Sequence, residues 1–104
     1  MPTNTAFRAL ADPTRRDILH LLSQGDMTVA QVAARFPMTR AAVKKHLTLL
    51  EQGGLIVSTA RGRERINRLN PAGLSPVASW IEALDTAWDT RLAALKSAIE
   101  KDTP

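Results

Sequence analysis

Residues 28–69 read TVAQVAARFPMTRAAVKKHLTLLEQGGLIVSTARGRERINRL, and the order of local signals in that stretch decides the fold. Thr28 followed three residues later by Gln31 is a capping-box pattern, with Met27 placed to staple onto Val32. The helix it starts, residues 28–36, turns Val32 and Ala33 inward and ends before Phe36-Pro37. Thr39 then caps a second helix over residues 39–52, with Met38 stapling onto Val43. Val43, Leu47 and Leu50 fall at i, i+4 and i+7, so one face of that helix is apolar, and Gly53-Gly54 ends it. Residues 55–59 and 64–69 are candidate strands joined through Ala60-Arg61-Gly62-Arg63, a four-residue connection with glycine that suits a hairpin. Helix, tight turn at Pro37-Met38, helix and basic hairpin make a helix-turn-helix followed by a wing.

Working outward, Asp12-Pro13 marks a helix start, Asp as N-cap and Pro in the first helical position, where its missing N–H costs nothing. That helix, residues 13–24, runs through Arg15, Ile18, Leu21 and Leu22 and stops at Gly25. A short lead-in helix over residues 5–10 presents Phe7 and Leu10. The last element is expected to begin at Ser75 as N-cap with Pro76 behind it and to run over residues 75–100. Such a helix is ~36 Å long, against a radius of gyration of ~13 Å for a compact domain of this size. Its apolar stripe is Val77, Trp80, Ile81, Leu84, Trp88, Leu92, Leu95 and Ile99. Part of the stripe must overhang its own domain, and an exposed stripe with two tryptophans calls for a cover. The simplest cover is the same helix in a second copy, giving a twofold dimer.

Composition bounds the rest. At 104 residues, 44% of them hydrophobic, the chain fits one globular domain with a modest core. No window approaches the ~20 continuous apolar residues of a membrane span, and the opening MPTNTAFRALADP lacks the basic-then-apolar layout of a signal peptide. No membrane partner and a cytoplasmic location are therefore expected. Cysteine is absent, which removes disulfides, thiolate metal sites and cysteine nucleophiles. The net charge of +4 is uneven. Residues 39–69 hold seven Lys/Arg against two acids, a local +5, while residues 70–104 hold three against five, a local −2. Positive charge gathered in one segment points to a polyanion for that segment.

In a helix-turn-helix the second helix enters the major groove by its N-terminal half. The positions there not claimed by the core are Thr39, Arg40, Ala41, Ala42, Lys44, Lys45 and His46. Arg40 and Lys44 share one face, the expected reach to guanine edges. Ala41 and Ala42 are small enough for close approach, and Thr39 at the helix N-terminus suits a phosphate. Arg61, Gly62, Arg63 and Arg65 form the wing tip: glycine permits the reversal, and the arginines reach backbone phosphate or a neighbouring minor groove. Double-stranded DNA is the expected partner.

The stretches FRALADPTRRDIL, MTRAAVKKHLTLLEQGGLI and RGRERINRL resemble the ArsR/SmtB type of bacterial winged-helix regulators, and the likeness covers most of the chain. It implies a homodimeric transcriptional repressor that binds operators near its own promoter, with first and last helices pairing across the dimer. The expected fold is mainly α with a small β-hairpin: a single winged helix-turn-helix domain over residues 1–104, with a recognition helix at 39–52, a wing at 55–69 and a dimerisation helix at 75–100. The interface so implied uses Phe7, Leu10, Trp80, Ile81, Leu84, Trp88, Leu92 and Leu95. Two positions depart from the pattern. Lys44 stands where many members have Ser, which bears on sequence preference, and Asn67 stands where an aromatic is frequent, which is expected only to soften wing packing.

Many proteins of this type sense metals. Here the thiolate route is closed, and residues 75–104 contain no histidine for a site on the last helix. Asp85 and Asp89, two carboxylates without imidazole, make a poor transition-metal site. No metal and no cofactor are expected, and the signal is a non-metal or unidentified small-molecule effector, for which Trp80 and Trp88 could offer stacking faces. His46 is read as packing or hydrogen-bonding to phosphate within the DNA-binding surface, and His20 as a partly buried structural residue. Arg15 and Arg16 fit a phosphate contact and plain surface charge equally. No nucleophile–base constellation or phosphate loop suggests an enzyme. The competing functions are a metal-responsive repressor with an atypical oxygen and nitrogen site, and a winged-helix module for protein–protein contact; the local +5 argues against the latter.

Overall fold

The computed structural model describes residues 4–101. Helix α1 (Asn4–Leu10) leads into α2 (Pro13–Leu22). Asp12 is extended and its carboxylate accepts the Arg15 backbone N–H at 3.1 Å, with Pro13 opening the helix as its order dictates. Strand β1 (Met27–Thr28) precedes α3 (Val29–Ala33). Both halves of the capping box form: Gln31 N donates to Thr28 Oγ1 at 3.1 Å, and Thr28 N to Gln31 Oε1 at 2.8 Å. Helix α3 is shorter than the expected 28–36. Beyond Ala34 the chain tightens into i to i−3 bonds, Arg35 N to Val32 O and Phe36 N to Ala33 O, on its way to Pro37.

Helix α4 (Arg40–Gln52) is capped by Thr39, whose hydroxyl accepts from Ala42 N at 3.1 Å. It ends in a Schellman motif: Leu55 N bonds to Leu50 O, Gly54 N to Glu51 O, and Gly54 takes the left-handed φ of +75° that favours glycine. Strands β2 (Ile56–Arg61) and β3 (Glu64–Leu69) form the hairpin. The ladder runs out to Arg61 opposite Glu64, so the connection is Gly62-Arg63 alone rather than four residues. Gly62 has φ +64° and Arg63 no positive φ, the pattern of a II′ turn, whose twist matches the strands it joins.

The sheet has three strands, not two, in the antiparallel order β1-β3-β2. Met27 pairs with Asn67 and Thr28 with Ile66. Asn67 is 2% exposed and its side-chain amide donates to Met27 O at 3.2 Å. Asn67 therefore ties the wing to the strand before the helix-turn-helix, where only softer packing was expected. The core gathers Ile18 and Leu22 of α2, Val32 of α3, Val43, Leu47 and Leu50 of α4, and Leu55 and Ile56 at the start of the wing. His20 is exposed, so the partly buried structural role expected of it is not found; it lies on the solvent side of α2, next to buried Leu19.

Helix α5 (Pro71–Lys101) starts before residue 75. Pro71, not Pro76, opens it, and Ser75 and Pro76 lie inside. The start is moved by packing. Asn70 donates its backbone N–H to Leu55 O at 3.0 Å and its side-chain amide to Gly54 O at 2.9 Å, and Gly73 lies so close to the Gly54 carbonyl that a Cβ there would collide with it. Val77 is the last residue of α5 buried in the domain; beyond it Trp80 still meets Phe7 of α1, and the helix then runs outward from the domain. The molecule is 72 × 27 × 23 Å with a radius of gyration of 19.2 Å.

Candidate nucleic-acid interface

Helix α4 buries Val43, Leu47 and Leu50 at 0–3% exposure and so is fixed in rotation about its own axis. That leaves Thr39, Arg40, Ala41, Lys44, Lys45 and Thr48 exposed. The hairpin stands beside the first half of this helix because β3 is held on one side by β1 and on the other by β2. Between helix and hairpin lies an open cleft of about 340 Å³ lined by Thr28, Val29, Arg40, Ala41, Lys44, Arg63, Glu64 and Arg65. Four cations from two separate elements thus face one space, with Glu64 as the single acid. A smaller hollow of about 120 Å³ shares Val29, Lys44 and Arg65 with the cleft and reaches Thr48, Glu51, Ser58 and Asn67.

Arg65 is the most constrained of these cations. Its Nε donates to Ser58 Oγ and its Nη2 to Ser58 O, both at 2.9 Å, which lays the guanidinium across β2. Arg61, Gly62 and Arg63 are exposed at the tip. Of the positions expected from sequence to face DNA, Arg40, Ala41, Lys44, Arg63 and Arg65 come together at the cleft, while Thr39, Ala42, Lys45, His46, Arg61 and Gly62 lie outside its lining. Lys45 projects about a quarter-turn further round α4, ~100° on from Lys44.

His46 is not on this surface. It is half-buried, and its Nδ1 is fully covered without a hydrogen-bond partner. The Asp12 carboxyl is held below its ordinary value, chiefly by the Arg15 backbone N–H it accepts; loss of water opposes this, and the neighbouring Arg15 and His46 side chains add smaller lowering effects. Arg15 and Arg16 are likewise occupied. Arg15 donates to Ala9 O at 2.8 Å and Arg8 O at 3.0 Å, and Arg16 to Leu10 O at 2.9 Å. Both guanidiniums satisfy the last carbonyls of α1, where a cation also suits the helix dipole.

Thr28 and Val29 were missed in the sequence as cleft residues. They reach it because β1 pairs with β3, and a two-residue strand is too short to leave a periodic signal. On the other side of the molecule Phe7 and Leu10 are half-buried, and Phe7 meets Trp80 edge-to-face at 5.1 Å and 69°. Ile81, Leu84, Trp88, Leu92 and Leu95 are exposed, Trp88 at 57%. The helix thus overhangs its domain instead of folding onto it. Among the described residues no group of three or more His, Cys, Asp or Glu is gathered as a metal site, and no helix is long and apolar enough to cross a membrane.

Comparison with known proteins places this geometry in company. A helix-turn-helix domain model matches residues 10–59. The chain is 33% identical over 97 residues to the HTH-type transcriptional regulator Rv2034 of Mycobacterium tuberculosis, covering 93% of this chain and 88% of that protein. It is 36% identical over 78 residues to the transcriptional repressor SdpR of Bacillus subtilis, covering 75% and 87%. Among solved structures, an ArsR-like transcriptional regulator from Rhodococcus sp. RHA1 superposes with a TM-score of 0.73 at 39% identity, covering 90% of this chain and 89% of that one.

Proposed function

The chain belongs to the ArsR type of winged helix-turn-helix proteins and is a DNA-binding transcription regulator, and from that premise we propose that it is a cytoplasmic homodimeric repressor acting at its own or a neighbouring promoter. The observation that carries this reading is the cleft in which Arg40 and Lys44 of α4 face Arg63 and Arg65 of the hairpin. In it α4 is the recognition helix, which places Arg40, Ala41 and Lys44 against base edges in the major groove. The hairpin is the wing, with Arg61 and Arg63 on the flanking backbone. Thr39 and Lys45 contact phosphate from either side of the helix, and Ala42 lets the helix sit deep.

The dimer is formed by the terminal helices, through Phe7, Leu10 and the stripe of α5, so that two recognition helices face DNA together. We also read the releasing signal as a non-metal one, since the chain has no cysteine and no histidine after His46. Repression then works by occupancy: the protein covers the promoter and needs no chemistry of its own.

Fluorescence anisotropy over a salt series tests the reading, using the DNA upstream of the protein's own gene and a scrambled duplex. The expected result is tight binding to the upstream fragment alone, weakening steeply with salt by about 0.9 log units per decade for each phosphate neutralised. Zinc or a chelator added to the same samples is expected to leave the curve in place. Equal, weak binding to both duplexes would overturn the proposal.

A further inference from the structure

The cleft between α4 and the hairpin holds one group that binding to a polyanion does not explain. Glu64 lines it beside Arg40, Lys44, Arg63 and Arg65, yet among the described residues its side chain makes no hydrogen bond and no ion pair. Cations are at hand. Arg61 stands opposite Glu64 across the ladder, a position where opposite charges pair favourably. Arg65, next along β3, is taken up by Ser58, its Nε donating to Oγ and its Nη2 to the carbonyl, both at 2.9 Å. This clamp occupies a neighbouring guanidinium, and both oxygens of Glu64 stay open to whatever enters the cleft.

An open carboxylate is an acceptor and nothing else. Duplex DNA offers it few partners. Phosphate oxygens repel it, deoxyribose within the chain has no hydroxyl to donate, and the ring nitrogens and carbonyls of the base edges are themselves acceptors. The donors left in the grooves are amino groups: N4 of cytosine and N6 of adenine in the major groove, N2 of guanine in the minor. Glu64 shares its space with Arg40 and Lys44 of the helix that enters the major groove, which selects the first two. Cytosine is the better match. Its N4–H₂ has an acceptor on one side only, O6 of the paired guanine, whereas N6–H₂ of adenine lies between its own N7 and O4 of thymine.

Resting on the DNA-reading role of this cleft, we infer that Glu64 is a specificity-determining residue that accepts a hydrogen bond from a cytosine amino group in the operator. It discriminates in two directions. On the operator the carboxylate gains a donor. On a duplex with an acceptor in that place it stands unpaired against like charge, and one unit charge ~4 Å from another in water changes affinity about fivefold. The wing arginines attract every duplex alike; the acid among them rejects the wrong ones. Weakening the hold on random DNA matters as much as tightening the hold on the operator, because a genome offers a vast excess of competing sites.

The test does not require the operator to be known. Full-length parent, Glu64→Gln and Glu64→Ala proteins are each incubated with duplexes randomised over a central stretch, and the retained DNA is sequenced. Glu64 is exposed on the hairpin, so both variants are expected to fold, and circular dichroism melts check that they do. The parent is expected to enrich a motif containing a C·G pair for which Glu64→Ala shows at least about fivefold less preference, the lower end of what a base contact is worth. Glu64→Gln should move that one position toward adenine, whose N6 and N7 suit an amide bidentately. An unchanged motif in both variants, with every sequence bound more tightly, would reduce Glu64 to a charge that trims phosphate binding. That result, or a loss confined to an A·T pair, overturns the inference and spares the DNA reader. A parent that enriches no sequence at all overturns the reading of the cleft itself.

Discussion

Lys44 lines both hollows between helix and hairpin and stands on the open side of α4, one turn from Arg40. If it reads a base edge, Lys44→Ala weakens operator binding by ~1–3 kcal/mol while random DNA loses much less; an equal loss on both in anisotropy would make it a phosphate contact. Asp12 supports a prediction of another kind. Its folded pKa lies below the ordinary value, so its contribution to stability is complete above the unfolded pKa and is lost as the pH falls through the folded one. Asn keeps the capping oxygen without titrating. Thermal melts between about pH 5 and pH 3 should therefore show a smaller drop for Asp12→Asn than for the parent chain. At this scale the caps were legible, because Asp12, Thr28 and Thr39 each bond to an N–H three residues on. Arg15, Arg16 and His46 were not: the arginines bond to the carbonyls ending another element, α1, and the Nδ1 of the histidine is covered by packing. No spacing along the chain announces such neighbours.

At the scale of elements, the join between hairpin and last helix shows how packing overrides local preference. Sequence signals at Ser75-Pro76 favour a start there, yet the helix starts at Pro71 because Asn70 and Gly73 are fastened to the turn ending α4. Helix propensity alone predicts that Gly73→Ala stabilises the protein by ~1 kcal/mol. The Gly54 carbonyl occupies the space the new methyl needs, so the expected outcome has the opposite sign, a loss of ~1–3 kcal/mol in urea unfolding. The long elements were legible from their apolar spacing. Strand β1 was hidden because Met27 and Thr28 are equally well explained by the capping motif they also serve, and the wing connection was drawn too long because the ladder continues through residues with no apolar alternation.

For the whole molecule the decisive feature is that half of the last helix has no domain beneath it. The overhang was legible from length alone, and so was the stripe that needs covering. In the proposed dimer, Trp88→Glu would put a carboxylate into the apolar stripe of each copy, where it loses its water without gaining a counter-charge. Monomers are expected in sedimentation at concentrations where the parent chain is dimeric. Operator affinity should fall by roughly 10²–10⁴, the share that depends on linking two recognition helices; an unchanged sedimentation coefficient would contradict that dimer.

The placement of the tryptophans has an optical consequence. The protein contains two tryptophans and no tyrosine, and both tryptophans lie on α5, one against Phe7 and one out on the overhang. Light absorbed at 295 nm is therefore absorbed only by this helix, and the helix-turn-helix and its wing are dark. Emission reports on what surrounds the last helix, while circular dichroism at 222 nm follows all five helices together. The protein therefore carries separate gauges of what covers the last helix and of folding, and neither needs an attached dye.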